Sequence, residues 1–225
     1  MAAKLQDVIR KLRSQYGEPR PPKINHPLAL ILYENVGYLV DDQKREVAFA
    51  ALKNQIGLEA IDILATPVEK LVQITRQGGI HPQLRAARLK EIAQIVLNDF
   101  GGDLRRALKL PPAKALQQLK KFPSIGTPGA QKILLFTRTH PILALDSNGL
   151  RVMLRLGFGA ERKSYSSSYA SVQEAINEQL PLDYDFLITA HLLLRHHGKQ
   201  ICRSNNPLCP ECPLKSVCRY YQNVH

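Results

Sequence analysis

The four cysteines of this 225-residue chain all fall within its last 24 residues. Thiols clustered in this way favour a metal site over disulfides when a protein works in a reducing compartment. Their spacing is C-x6-C-x2-C-x5-C, with a single close pair, and the residues are Cys202, Cys209, Cys212 and Cys218. From the residues alone, both a tetrahedral zinc ion and an iron–sulfur cluster are open.

The rest of the chain shows the apolar periodicity of helices. Apolar residues recur every three or four positions, whereas the alternating pattern of strands is nearly absent. The sequence therefore predicts an all-α protein with short loops, and the polar segment 158–168 predicts an exposed loop. The helical patterns cover residues 5–12, 49–56, 89–96, 113–119, 130–137, 150–156, 169–180 and 186–196.

The formal net charge of +12 and the pI near 9.7 point to a polyanionic partner. The basic residues are spread over helical segments, which favours nucleic acid, although solubility alone or an anionic membrane surface would also explain the charge. No apolar run is long enough to cross a bilayer, and the first twenty residues lack a signal-peptide core. We expect a soluble cytoplasmic protein without a membrane partner.

A very short turn joins two helical patterns within segment 119–130. Pro123 ends the first helix, and Gly126 permits a backbone conformation that a β-carbon would resist. We expect Thr127 to cap the second helix, with Pro128 at its first position. Free N–H groups at such a helix start can bind phosphate, but many helix pairs with similar turns bind nothing.

Asp146 follows an apolar stretch and begins another helical pattern. Capping a helix is a common role for aspartate. A carboxylate at the mouth of a cleft could also stabilise positive charge on a sugar or activate a water molecule. The two roles are compatible in one residue.

Three features resemble the endonuclease III and MutY branch of the helix-hairpin-helix DNA glycosylase superfamily. They are the hairpin at residues 119–130, Asp146, and the cysteine loop, residues 202–218. The resemblance covers residues 28–218 and is strongest from Leu119 onward. The cysteine spacing is the one that this branch uses for a [4Fe–4S] cluster, so the resemblance favours iron–sulfur over zinc.

The resemblance implies two helical lobes with a DNA-binding cleft between them. Residues 1–25 and 140–225 would form the iron–sulfur lobe, and residues 26–139 a helical barrel lobe with the helix-hairpin-helix motif at 113–137. The implied cofactor is one [4Fe–4S] cluster on the four cysteines. The implied partner is double-stranded DNA with a damaged or mismatched base, bound by a monomer in a bacterial or archaeal nucleoid.

The implied reaction is hydrolysis of an N-glycosidic bond. Bifunctional members carry a lysine two residues after the second glycine of the hairpin, and this chain has Pro128 there. Because proline within a chain has no nucleophilic amine, the resemblance predicts a glycosylase without strong AP-lyase activity. Two alternatives stay open: a bifunctional enzyme that uses Lys132, one turn along the same helix face, or a non-catalytic lesion-binding protein.

The resemblance assigns catalysis to Asp146 as charge stabiliser and to Glu34 as general acid. Glu34 follows an apolar run, and apolar surroundings would raise its affinity for a proton. The alternative is an ordinary exposed or capping glutamate. The family's glutamine-rich patch is replaced by residues 37–40, Gly-Tyr-Leu-Val, so the excised base stays open. Adenine opposite 8-oxoguanine, mismatched thymine or uracil, and other lesions are all candidates.

DNA contacts are expected from the hairpin, the cysteine loop and the loop after Gly78 and Gly79. Extruding a nucleotide leaves a gap that an aromatic or apolar side chain can fill. The expected DNA-binding residues are Ile125, Gly126, Thr127, Gly129, Lys132, Tyr38, Ile80, His81 and Arg203.

Overall fold

The computed structural model describes residues 4–224, which form helices and loops without a β-strand. The prediction of an all-α protein is confirmed. Within these residues no helix is both long and apolar enough to cross a bilayer. The α-helices are α1 (Leu5–Tyr16), α2 (Pro27–Val36), α3 (Asp42–Gln55), α4 (Ala60–Ala65), α5 (Val68–Arg76), α6 (Pro82–Phe100), α7 (Arg105–Leu108), α8 (Pro112–Leu119), α9 (Thr127–Phe136), α10 (Ser147–Leu156), α11 (Tyr165–Ile176), α12 (Tyr184–Gln200) and α13 (Arg219–Val224).

The chain divides into two compact units. The terminal unit consists of Met1–Pro22 and His140–His225, and the central unit of Lys23–Thr139. The first division therefore falls after residue 22, where the predicted lobe ended at residue 25. The terminal unit is discontinuous in sequence because α1 packs against α12.

The core of the central unit is built around α2. This helix packs against α3, α6 and α9, and of its ten residues only Tyr33 and Glu34 are not buried. The long helix α6 packs on α2, α4 and α5. Burying each large aliphatic side chain stabilises the unit by about 1.5–3 kcal/mol. Glu34 therefore lies at one of the few accessible positions of an otherwise buried helix.

The terminal unit is built around the pair α10 and α12. Helices α11 and α13 pack on α10. The pair approaches closely at Gly198, where an added β-carbon would lie 2.7 Å from the Asn148 carbonyl oxygen. Glycine is required here because any side chain would push the two helices apart.

The prediction of an exposed loop over residues 158–168 is wrong in its last part. Helix α11 begins at Tyr165, and the Ser164 side chain accepts from the Ser167 N–H in a capping box. Ser168 is buried, and its hydroxyl accepts from the Arg162 N–H at 2.8 Å. The serines look like loop residues in the sequence, but their hydroxyls satisfy backbone groups at a helix start.

We expect Gly198→Ala to lower the free energy of unfolding by about 1–3 kcal/mol, since the methyl group overpacks the contact with α10. Thermal unfolding followed by circular dichroism measures the effect, at roughly 2–4 °C per kcal/mol for a chain of this length. Gly126→Ala is the matched control, because φ is −86° there and the nearest atom to an added β-carbon is 3.9 Å away. Equal melting temperatures for the two variants would contradict the close approach.

Candidate active site and cysteine loop

The four cysteines are free thiols that line one cavity. Arg155, Lys215 and Tyr220 line the same cavity. Among the described residues, no three His, Cys, Asp or Glu side chains converge closely enough to hold a single metal ion. A zinc ion needs four sulfurs about 2.3 Å from one point, whereas a four-iron cluster takes each thiolate on a separate iron. The four sulfurs of the cysteine loop face the same small cavity, and thiolates are ligands for either kind of metal group.

Two arginines of α10 attach the cysteine loop to the terminal unit. Arg151 donates to the carbonyl oxygens of Cys202 at 2.8 Å and Gly198 at 2.7 Å. Arg155 donates to the Arg203 carbonyl at 2.7 Å and lies 3.3 Å from the Cys202 sulfur. These bonds satisfy carbonyls that regular structure does not reach.

His197 is a buried neighbour of the cysteine loop that the sequence analysis did not assign to it. Its Nε2 lies 3.5 Å from the Cys212 sulfur, and its Nδ1 bonds the Tyr16 hydroxyl at 2.8 Å. Burial lowers the pKa of His197 to about 4, and the nearby His196 contributes. The expected DNA contact Arg203 is exposed, with its Nε donating to the Gln200 carbonyl.

The predicted hairpin is present as α8, a tight turn and α9. Three expectations about the turn are wrong. Gly126, not Thr127, is the N-cap of α9, so Pro128 is the second residue of the helix and not the first. The φ of Gly126 is −86°, which is open to any residue. The left-handed residue is Ser124, with φ of +63°. The turn therefore places its strain at a residue that carries a β-carbon.

The start of α9 leaves backbone donors free for a ligand. The first helical bond joins the Ala130 N–H to the Gly126 carbonyl at 2.9 Å, so the N–H groups of Thr127 and Gly129 precede it. Ile125 is only 4% exposed, so its side chain packs inside and only its backbone is available for contact.

Glu34 lies in a charged environment, and the expectation of apolar surroundings is wrong. Its Oε1 accepts from Lys132 Nζ at 2.7 Å, and its Oε2 lies 3.7 Å from Arg45 Nη1. Two cations at these distances stabilise the ionised carboxylate. The buried atoms Asn35 Oδ1 and Arg45 Nε have no hydrogen-bond partner among residues 4–224. A polar ligand or a water molecule would satisfy them.

Asp146 is the N-cap of α10, as one of the two readings predicted. Its Oδ1 accepts from the Gly149 N–H at 2.8 Å, and its Oδ2 accepts from the Asn148 amide at 3.0 Å. Arg195 Nε lies 3.3 Å from Oδ2. The side chain is 29% exposed, so the carboxylate is held in one orientation and stays accessible.

The candidate gap-filling residues lie together on the central unit. Tyr38 and Ile80 are each 48% exposed, and the rings of Tyr38 and His81 are 6.5 Å apart. Tyr38 forms an isolated bridge with Gly79. The structure thus brings Tyr38, Ile80 and His81 together. Apart from them, an ion pair joins Glu34 to Lys132.

No family model matches the chain. Endonuclease III of Thermotoga maritima is 26% identical over 218 residues, which cover 97% of this chain and 93% of that protein. Thymine-DNA glycosylase of Aeropyrum pernix is 28% identical over 155 residues, 69% of this chain and 66% of that protein. The chain belongs to the helix-hairpin-helix DNA glycosylase superfamily.

A solved endonuclease III–DNA covalent intermediate shares the fold of this glycosylase-superfamily chain. The superposition covers 99% of this chain and 99% of that one, with a TM-score of 0.77 and 20% sequence identity. The α8–α9 element is the helix-hairpin-helix motif of this superfamily, and here it carries Pro128 in the first turn of α9.

Within the glycosylase hairpin, we expect Ser124→Gly to raise the free energy of unfolding by about 0.5–1 kcal/mol. Glycine removes the cost of holding a β-carbon in the left-handed region. This gain in stability is partly offset, because glycine has more conformational entropy in the unfolded chain. Urea unfolding measures the change. Ser166→Gly, in the first turn of α11, is the control and should lower stability by a few tenths of a kcal/mol. A loss of stability in Ser124→Gly would contradict the assigned strain.

Proposed function

We propose that this protein is a base-excision-repair glycosylase that hydrolyses the N-glycosidic bond of a damaged or mismatched base without strong AP-lyase activity. Its partner is double-stranded DNA, bound by a monomer. The observation that carries the hydrolytic assignment is Pro128, in the first turn of α9 where bifunctional relatives carry their lysine.

The contacts of Lys132 argue against it as a replacement nucleophile. Its ammonium is 2.7 Å from the Glu34 carboxylate and lies about 6 Å from the rings of Tyr33 and Phe136. These contacts engage the amine within the central unit, whereas a nucleophile must be free to reach the sugar. The bifunctional alternative would have to break this ion pair first.

Asp146 is suited to stabilise the oxocarbenium-like charge that develops on the sugar. Its hydrogen bonds to the Gly149 N–H and the Asn148 amide hold the carboxylate in one orientation, so little reorganisation accompanies the reaction. The same carboxylate can orient the attacking water. The capping role and the catalytic role thus use the same geometry.

Glu34 acts on the departing base in this proposal. In the free protein, Lys132 and Arg45 hold it as a carboxylate. Insertion of a base excludes water and competes for these contacts, so Glu34 takes up a proton from solvent as the base binds and then donates it to the departing base. The unpartnered Asn35 Oδ1 and Arg45 Nε nearby support a polar ligand at this place.

The cysteine loop would hold a [4Fe–4S] cluster on Cys202, Cys209, Cys212 and Cys218. When bound, the cluster would brace the loop and take no part in the cleavage. Arg203, Lys215 and Arg219 would then be presented to DNA phosphates.

A lesion panel tests the reaction. We expect strand breaks only after alkali, and no borohydride-trapped protein–DNA adduct, on at least one duplex. The panel contains thymine or uracil opposite guanine, adenine opposite 8-oxoguanine, an oxidised pyrimidine and an alkylated adenine. Asp146→Asn should reduce excision by about a hundredfold or more, since a fixed negative charge is lost, and Glu34→Gln should also reduce it.

The controls separate the alternatives. Breaks without alkali, together with an adduct that disappears in Lys132→Gln, would establish the bifunctional enzyme instead. Inactivity on every duplex with retained binding would leave a non-catalytic lesion-binding protein. Full activity of Glu34→Gln would remove Glu34 from the mechanism.

Metal analysis tests the cofactor. We expect protein purified without oxygen to contain about four irons and four inorganic sulfides per chain, as a [4Fe–4S] cluster requires. Cys212→Ser should lose most of the iron, whereas Ser216→Ala in the same loop should keep it. One zinc per chain without iron would overturn the assignment.

A further inference from the structure

Two loops of the central unit pair with each other next to the start of α6. These paired loops are residues 36–40 and 78–81. The Tyr38 N–H donates to the Gly78 carbonyl at 2.9 Å, and Tyr38 and Gly79 form a parallel bridge. The paired loops lie outside the regular hydrogen bonding of the helices, so their shape depends on other contacts.

The paired loops carry exposed apolar side chains on a strained backbone. Leu39 is 75% exposed with φ of +51°, and His81 has φ of +56°. Left-handed conformations are costly for residues with a β-carbon, and they persist only where the surroundings enforce them. Each of the paired loops therefore contains one strained residue, next to Tyr38 in one loop and Ile80 in the other.

The residue that enforces this geometry is Arg85 of α6. It is 1% exposed, and its guanidinium donates to the carbonyls of Val36, Gly79 and Ile80, the last at 2.9 Å. Within residues 4–224 it forms no ion pair. Burying a guanidinium is costly unless its donors are satisfied, so the three carbonyls and the arginine depend on one another.

The glycines of the second loop allow a close approach that any side chain would block. A β-carbon on Gly78 would lie 2.1 Å from the Val36 oxygen and 2.7 Å from Arg85 Nη1. One on Gly79 would lie 2.5 Å from the Tyr38 oxygen. The loops and the arginine therefore approach each other at main-chain contact distance.

We propose that Arg85 is a positioning residue that holds the paired loops in the shape that lets their tips enter the DNA base stack. It does not touch the DNA, and it acts through the carbonyls of Val36, Gly79 and Ile80. This inference rests on the proposed function, since it assigns the paired loops to the step in which a nucleotide is extruded.

Arginine is required because its planar fork spans carbonyls on both loops at once. Lysine keeps the charge, but its compact ammonium cannot reach three carbonyls in this arrangement. Arg85→Lys therefore separates charge from geometry. The phosphate contacts that we propose come from the hairpin and the cysteine loop. Binding to undamaged DNA should therefore not depend on the Arg85 guanidinium.

The experiment uses a duplex with a tetrahydrofuran abasic analogue next to 2-aminopurine, whose fluorescence rises when it is unstacked. We expect the wild-type protein to raise the fluorescence and Arg85→Lys to lose most of the rise. Single-turnover excision on the active duplex should fall roughly tenfold or more, because loop misplacement costs rate. The Kd for an undamaged duplex should change less than about twofold.

Gly79→Ala disturbs the same loops without changing Arg85, so it should lose the signal too, even if Arg85→Lys folds poorly. Arg88→Lys, one turn further along α6, is the control and should behave as wild type. A lower melting temperature of Arg85→Lys with full signal and full excision rate would overturn the inference, as would the absence of a wild-type signal.

The two proposals can fail separately. A wild-type signal that Arg85→Lys loses, without excision of any base in the panel, would reject the glycosylase reaction and keep the positioning role. Excision by the wild type that Arg85→Lys retains in full would do the reverse.

Discussion

Hydrogen bonds from arginine side chains to main-chain carbonyls hold the irregular parts of this molecule. An all-helical protein satisfies most of its backbone within helices, which leaves the loop carbonyls in need of donors. Arg85 supplies them in the central unit, and Arg151 and Arg155 do so in the terminal unit. A guanidinium offers five donors in a rigid fork and stays charged, so it can join several segments at once. The paired loops and the cysteine loop both depend on this interaction.

Periodicity was sufficient for the large helices, because an apolar face buried against a core repeats every three to four residues. It did not identify α2, which is buried on nearly all sides and so lacks a polar face to set the period. It also did not identify α4, α5, α7 and α13, of which α4, α7 and α13 have six residues or fewer. The start of α11 was missed for another reason. Its serines are common in loops and in helix caps alike, and only the partner groups distinguish the two.

The candidate site was predictable where one short segment carries the information. The hairpin and the capping position of Asp146 follow from local sequence. The environment of Glu34 does not, because Lys132 is 98 residues away in sequence and Arg45 sits on another helix. The residues before Glu34 in the sequence are apolar, whereas the side chains that contact its carboxylate in the fold are charged. Arg85 escaped notice for the same reason, since its farthest acceptor is 49 residues away.

The discontinuous terminal unit sets an order on folding during synthesis. Residues 23–139 are complete before the ribosome has made α10 or α12, so the central unit can fold while α1 still lacks its packing partner. Four buried residues of α1, Leu5, Val8, Ile9 and Leu12, stay exposed until then. The apolar face of this N-terminal helix is therefore covered only after α12 has been made.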